Sequence, residues 1–433
     1  MNNREVELLA IGAGPANLAL AVALEELGPP DLAANSLLIE RSQTIEWQQG
    51  LLMPWARSQV SFLKDLATLR NPRSRFSFLN YLHSAGRLDD FVNMGSFSPY
   101  RIEISDYLRW VAASLATVQL ELGRECTSVE PCRAADGTLT GWITRLADGS
   151  TVTSRYLVIG AGRDPYLPPV FADLPAQRVI HSTRYRPRVS ALSKEVPYRI
   201  AVVGGAQSAA EMYLALQSDL PNSDLVWLMR SIGLKAYETN KFVNQLFYPT
   251  FVDEFFEARP EGREQILREM HLTNYSGVAA GLLERLYSDR YLNQLMQQDG
   301  KQIITMTDIT AAREGEDGVV LELTDRRTGK VTELSRDLVF LGTGFAREMP
   351  AMVRRLGASL GLERIEVSRR YRLALDQPAT AACYLQGVNE ATHGIADSLL
   401  SVLAHRSADI VHDILAHRTT ADDGRRADRL TAR

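Results

Sequence analysis

The sequence predicts an α/β protein made of two parallel, doubly wound units and a small, mainly helical region. Three observations carry that reading. A strand-like run, a glycine turn and a helix-like run occur twice, as "IGAGPANLAL" (Ile11–Leu20) and "VVGGAQSAAE" (Val202–Glu211), each with a further strand behind it. Residues 242–298 are rich in Phe, Tyr, Leu and Met at helical spacing, apart from both repeats. The chain has 433 residues, more than one compact core holds, so two or three domains are expected.

Taken in order, Glu5–Ile11 reads as a buried strand, Pro15–Leu27 as a helix apolar on most faces, and Ser36–Glu40 as a second strand. Residues 41–100 are polar and irregular, with Gly50, Pro54, Pro72, Gly86 and Pro99. A stretch of that length should carry function or helices of its own. Ser105–Leu115 reads as a helix, and Tyr156–Gly160 as a strand running into the turn-rich "GAGRDPYLPP". The second unit begins at Tyr198 and has Asp224–Arg230 as its next strand. Strands are expected at Asp337–Leu341, ending in "LGTGF", and at Tyr384–Val388. Asp397–Leu415 reads as an amphipathic helix, and the charged tail from about Thr419 as disordered.

Bulk properties exclude several classes. A net charge of -4 with interspersed signs leaves no basic footprint for nucleic acid or an anionic membrane. No apolar run approaches the roughly 18–20 residues of a membrane span. Arg4, Glu5 and Glu7 lead straight into a strand rather than forming a signal peptide. Cys126, Cys132 and Cys383 form no CxxC, which argues against a dithiol redox enzyme and suits a reducing cytoplasm. No metal site is expected.

The two glycine loops differ in the residue that ends the next strand. In the first unit, Gly12 permits the tight turn, and Gly14 lets backbone approach a pyrophosphate at a helix N-terminus. Glu40, 28 positions after Gly12, can accept hydrogen bonds from ribose hydroxyls. In the second unit, Gly204 and Gly205 are followed by Ala206, and the next strand ends in Arg230, 26 positions after Gly204. A carboxylate repels a 2′-phosphate whereas a guanidinium pairs with it. The reading is a dinucleotide without that phosphate in the first unit and NADP(H) in the second, the bland alternative being a solvated Arg230. Two dinucleotides in one chain imply electron transfer between them, and FAD with NADPH is the natural pair.

Several further stretches stand in one order: "SQVSFLKDLATLRNPRSRFSFLNYL" (Ser58–Leu82), "RIEISDYLRW" (Arg101–Trp110), "FVNQLF" (Phe242–Phe247), "TNYSGV" (Thr273–Val278) and "HGIADSLLSVLAHRS" (His393–Ser407). With the two loops, they make the chain similar, from about Glu7 to Ile414, to the flavin-dependent N-hydroxylating monooxygenases of siderophore biosynthesis. These act on the side-chain amine of ornithine or lysine. The resemblance implies an FAD domain (1–195 and 335–418), an NADPH domain (196–238 and 300–334) and a substrate region (239–299). It implies that Gly12, Gly14, Pro15, Asn17, Glu40, Trp47, Gln59, Arg101 and Leu400 serve FAD. It places Gly204, Gln207, Ser208, Arg230, Asn274 and Tyr275 on NADPH, and Lys64, Asn244, Asn274 and Ser401 on the substrate. Arg101 and Asn274 would act closest to the chemistry. The implied reaction runs through a C4a-hydroperoxyflavin formed from O₂ and needs no metal or protein nucleophile. A homo-oligomer, dimer or tetramer, is implied by the same analogy.

The residues themselves agree. Lys64 in "SFLKDL" is costly to bury without an anion, and a substrate carboxylate supplies one; an internal pair with Asp65 or another acid is the alternative. Asn244 and Asn274 offer the donors and acceptors a zwitterion needs, although asparagine also serves turns. The text around "TLRNP", "FVNQLF" and "NYS" resembles the ornithine branch, with lysine, another diamine or a different class B flavin monooxygenase as alternatives. A non-catalytic flavoprotein is the remaining one. Departures from the family are Gln48 in "EWQQG", Ala206, "AYETNK" and "GTGF".

Overall fold

The computed structural model describes residues 3–297 and 300–431, with side chains described to residue 419. Its strands, in chain order, are β1 (Asn3–Ile11), β2 (Ser36–Glu40), β3 (Gln119–Leu122), β4 (Cys126–Arg133), β5 (Leu139–Leu146), β6 (Thr151–Ile159), β7 (Val179–His181) and β8 (Arg199–Val203). After these come β9 (Asp224–Leu228), β10 (Lys301–Ile304), β11 (Thr307–Gly315), β12 (Gly318–Asp325), β13 (Val331–Arg336), β14 (Leu338–Leu341) and β15 (Ala382–Leu385).

The first sheet has the order β3-β2-β1-β6-β5-β4, with β15 also pairing parallel to β6. Its central β1 pairs parallel to β2 and β6, and Leu8, Leu9 and Ala10 are fully buried there. Parallel strands covered on both faces read as continuous apolar runs, which is why Glu5–Ile11 is legible as a strand. The second sheet is β10-β9-β8-β14-β7, wholly parallel, and β11-β12-β13 form an antiparallel sheet.

The helices Pro15–Leu27 and Gln207–Asp219 come after β1 and β8 as the glycine turns predict. The long stretch 41–100 contains the helices Phe78–Ser84 and Leu88–Met94, and its Leu51, Met53 and Ala56 pack into the core of the second sheet. Residues expected to be helical between 242 and 298 form several short helices and the longer Ala280–Leu295; Gln298 lies outside the described residues.

Several boundaries differ from expectation, the strand expected at Tyr384–Val388 among them, which runs from Ala382 to Leu385. The strands Val179–His181 and Leu338–Leu341 fall within the bounds the resemblance implies for the FAD domain, yet both pair in the second sheet, where β14 is hydrogen-bonded between β8 and β7. The chain therefore re-enters the first sheet after "LGTGF", not before Asp337. The helix expected at Ser105 starts at Arg101. The last helix, expected from Asp397, starts at Leu403 and is assigned through Thr431. Before it, Ile395–Ser398 and Leu400–Val402 form 3₁₀ turns, since Arg406 captures both the carbonyl and the carboxylate of Asp397 and holds that backbone out of an α-helix. The tail expected to be disordered falls on residues whose side chains lie outside those described.

Candidate functional site

The first glycine loop is built for close approach. Gly12 has φ +92°, and a Cβ there would lie 2.8 Å from the Gly160 carbonyl, so only glycine fits. Gly14 has open space where its Cβ would point, and Pro15 opens the helix. Glu40 accepts from the Ala13 N–H (2.9 Å) and the Ser42 N–H (2.9 Å). Ala13, Gly14, Pro15 and Glu40 line one open cleft of about 60 Å³, together with Ser42, Thr44 and Gln49. Free N–H groups at a helix start, an acid beside the turn and open space in front of Gly14 fit a dinucleotide.

Asn17 does not face that cleft. It is fully buried and donates to the carbonyls of Ile11 (2.9 Å) and Gly12 (2.7 Å). Gln386 donates to its Oδ1 at 2.8 Å, and Arg406 donates to Gln386 at 3.0 Å and to the Asp397 carboxylate at 2.9 Å. The asparagine at the third position of the loop thus ties the turn to the C-terminal segment, and any effect on a cofactor runs through the loop backbone. Trp47 is half-buried against the core of the first sheet and donates its backbone N–H to Ser105 Oγ, Leu400 packs on the same core, and Gln59 is exposed. Gln48 takes a left-handed conformation, φ 56°.

In the second loop Gly204 has φ +133°, with the Gly342 carbonyl 2.4 Å from where a Cβ would sit. Ala206 is extended (φ -130°, ψ -173°), so its methyl adds no backbone strain. Gln207 opens the helix and Ser208 is half-buried beside it. Arg230 lies two residues past β9 and is exposed, with no carboxylate among the described residues in ion-pair range. Beside it Ser231 has a buried Oγ with no partner, 3.0 Å from the Cβ position of Gly205. An unsatisfied hydroxyl and an unpaired guanidinium at the mouth of a helix-opening loop fit an anionic group.

Arg101 is buried at the junction of the two units. Its guanidinium forms two 2.6 Å bonds to Glu211, in the helix after the second loop, and donates to the Leu51 carbonyl at 3.3 Å. Gln207 donates to the same carboxylate at 2.7 Å and accepts from the Ala279 N–H at 2.8 Å.

The expected substrate residues lie around one small core. Phe247, Val252, Met270, Ile395, Ala396 and Val402 form it, and Val243, Leu246, Tyr275 and Leu399 pack on it. It therefore joins the segments bearing Asn244, Asn274 and Ser401. Lys64 joins through its ammonium, which lies 4.6 Å from the Tyr248 ring centre and 6.0 Å from that of Phe247. Asp65 is not its partner: that carboxylate accepts from Ala67, Thr68 and Phe78 instead. No described carboxylate pairs with Lys64, and burial lowers its pKa. Asn244 is exposed, Asn274 half-buried and Ser401 buried. Tyr275 donates to Glu390 at 2.6 Å; burial, then that carboxylate, pushes its phenol up to about 12.

Glu211, Gln386, Arg406, Tyr248 and Ser231 were missed in the sequence. The signal for two of them was present: an acid in "SAAEMYLAL" and an arginine in "VLAHRSADIV" interrupt apolar helix faces, where a charge must find a partner.

Among the described residues no helix is long and apolar enough to cross a membrane. The family described as L-lysine 6-monooxygenase/L-ornithine 5-monooxygenase matches residues 4–347. The chain is 37% identical over 428 residues to the L-ornithine N(5)-oxygenase of Arthrobotrys oligospora, covering 94% of this chain and 88% of that one. It matches the structure of the ornithine hydroxylase of Pseudomonas aeruginosa with a TM-score of 0.88 and 37% identity, over 95% of this chain and 99% of the other. The ornithine N-hydroxylase of Kutzneria sp. 744, described with reduced FAD, NADP⁺ and L-ornithine, matches with a TM-score of 0.87 and 33% identity, over 96% and 100% of the two chains. The chain belongs to the L-lysine 6-monooxygenase/L-ornithine 5-monooxygenase family.

Proposed function

We propose that this protein is an FAD- and NADPH-dependent monooxygenase that hydroxylates the side-chain amine of L-ornithine at N5, for a hydroxamate siderophore or a related product. The net reaction consumes ornithine, O₂, NADPH and a proton and yields N5-hydroxyornithine, NADP⁺ and water. Bound FAD, reduced by NADPH, supplies the activated oxygen. Gly12, Gly14, Pro15 and Glu40 would hold FAD, with Trp47, Gln59 and Leu400 around it. Gly204, Gln207, Ser208 and Arg230 would hold NADPH, with Asn274 and Tyr275 at its nicotinamide end.

The observation that carries the substrate assignment is Lys64, a desolvated ammonium with no carboxylate of its own beside the core that joins Asn244, Asn274 and Ser401. An α-carboxylate is the anion it lacks. The reacting amine has to be neutral, although a free amine has a pKa near 10.4. A site that lowers the pKa of one lysine by burial favours the neutral form of a second amine by the same physics. The expected homo-oligomer is supported by exposed Tyr287, Tyr291 and Leu295, one stripe of the helix Ala280–Leu295, and light scattering tests it.

The FAD-loaded protein should oxidise NADPH fastest with ornithine and yield a hydroxylamine. Lysine or a short diamine giving the higher kcat/KM would move the substrate assignment; colourless protein unable to take up FAD would remove the enzyme reading.

A further inference from the structure

The ion pair between Arg101 and Glu211 is 4% and 1% exposed at its two side chains. A buried pair of this kind adds little net stability over well-packed apolar residues of the same volume, so neutralising Arg101 does not by itself account for Glu211. An apolar residue could not reproduce the third bond. Glu211 Oε1 accepts both from Arg101 Nη2 (2.6 Å) and from Gln207 Nε2 (2.7 Å), one helical turn earlier.

That bond fixes the orientation of an amide. A carboxylate only accepts, so the Gln207 NH₂ must face it, and the Gln207 carbonyl then faces the Ala279 N–H. The Gln207 backbone N–H donates to Gly277 at 3.0 Å. The second N–H of Nε2 is accepted by no described residue. We propose that Glu211 is a positioning residue for the dinucleotide: it aims Gln207, and with Arg101 it keeps the second loop in register with Leu51 on one side and with the Asn274–Ala279 segment on the other. The inference rests on reading this loop as the NADPH site.

The test is a double-mutant cycle read as NADP⁺ affinity of the oxidised, FAD-loaded enzyme by titration calorimetry, with melting temperature in parallel. Glu211→Gln puts an amide against three donors and should weaken NADP⁺ about tenfold, equivalent to about 1.4 kcal/mol. In a Gln207→Met background the same change should cost less than about twofold, because its route is gone. The melting temperature should fall in both backgrounds, since Arg101 loses its counter-charge either way. Should Glu211→Gln yield no holoenzyme, Glu211→Asp keeps a charge for Arg101 and withdraws the acceptor from Gln207, with the same expected pattern of NADP⁺ affinity. An unchanged affinity in the Glu211 variant, or an equal loss in both backgrounds, overturns the inference alone. Unchanged NADP⁺ affinity in Gln207→Met overturns the loop assignment and the inference with it.

Discussion

Replacing Lys64 by Met separates substrate binding from everything else the enzyme does. The ammonium has lost part of its hydration, faces the rings of Tyr248 and Phe247, and has no carboxylate among the described residues. A carboxylate arriving about 4 Å away gains roughly 4 kcal/mol at an effective dielectric of about 20. After the cost of stripping water from the carboxylate, a charge-assisted hydrogen bond retains about 1.5–3 kcal/mol. Lys64→Met should therefore raise the KM for ornithine about 10- to 150-fold. Flavin reduction by NADPH without ornithine should keep its rate, and the melting temperature should hold, since methionine fills the same apolar surroundings without a desolvated charge. The pH dependence gives a second handle. Burial lowers the Lys64 pKa, so its charge is lost at lower pH than in a free lysine; ornithine KM should rise as pH climbs through that lowered pKa in the parent, and this rise should be missing from Lys64→Met, which keeps only the pH dependence of ornithine's own amines. Steady-state kinetics and stopped-flow reduction measure the two halves. An unchanged KM, or reduction falling in step with it, would refute the assignment and make Lys64 a structural residue.

Arg230→Ala should cut the preference for NADPH over NADH about 10- to 100-fold, leaving NADH kinetics nearly untouched, because the guanidinium is exposed and has no carboxylate in ion-pair range among the described residues; an unchanged ratio removes its role. Gly204→Ala should lower the melting temperature and weaken NADP⁺, as its Cβ would meet the Gly342 carbonyl at 2.4 Å with φ at +133°, a strain of at least about 1–3 kcal/mol. A melt identical to the parent would show that the loop is looser than this geometry. Acid should destabilise the protein through His393, which burial holds neutral with a pKa of about 4, stacked on Tyr371. The unfolded histidine binds its proton near pH 6.5, so stability is complete above that value and lost as pH falls towards 4, at up to about 1.4 kcal/mol per pH unit. His393→Phe should flatten the slope of denaturation free energy between pH 6.5 and 4.5; an unaltered slope assigns the acid sensitivity elsewhere.

Local chemistry made most of the fold legible. The buried parts of the parallel strands β1 and β8, residues 8–11 and 200–202, are apolar, and the glycine turns after them are forced by φ values that other residues avoid. A short apolar strand says nothing about which sheet accepts it: Leu338–Leu341 is placed by pairing with β8, well over 100 residues earlier, and Val179–His181 by pairing with β14. The start of the last helix was misjudged for a similar reason. Leu399 and Leu400 continue its apolar stripe, yet Arg406 holds Asp397 and sets the backbone. For the site, the segments bearing Asn244 and Asn274 share a core, which Lys64 reaches through the rings of Phe247 and Tyr248. The contacts of Lys64 with Tyr248 and of Tyr275 with Glu390 are ones no local pattern carries.

The two buried Arg–carboxylate pairs stand where the discontinuous pieces of the chain meet. Arg101 and Glu211 join the first unit to the loop of the second, across 110 residues. Arg406 and Asp397 end a chain of hydrogen bonds that runs through Gln386 and Asn17 to the carbonyls of Ile11 and Gly12. Apolar packing is indifferent to small sliding, whereas the Arg101 guanidinium seated on both oxygens of Glu211, and Arg406 bonded to both the carboxylate and the carbonyl of Asp397, tolerate little change of angle or distance. Chemistry between two bound dinucleotides depends on their separation and tilt, and neither sheet sets these alone. Placing one directional pair at the seam between the units, and another between the first glycine turn and the C-terminal helix, converts loop positions into positions relative to each other. Stability is nearly neutral to such pairs. Geometry is not, and this accounts for charges being retained inside cores that leucine could fill.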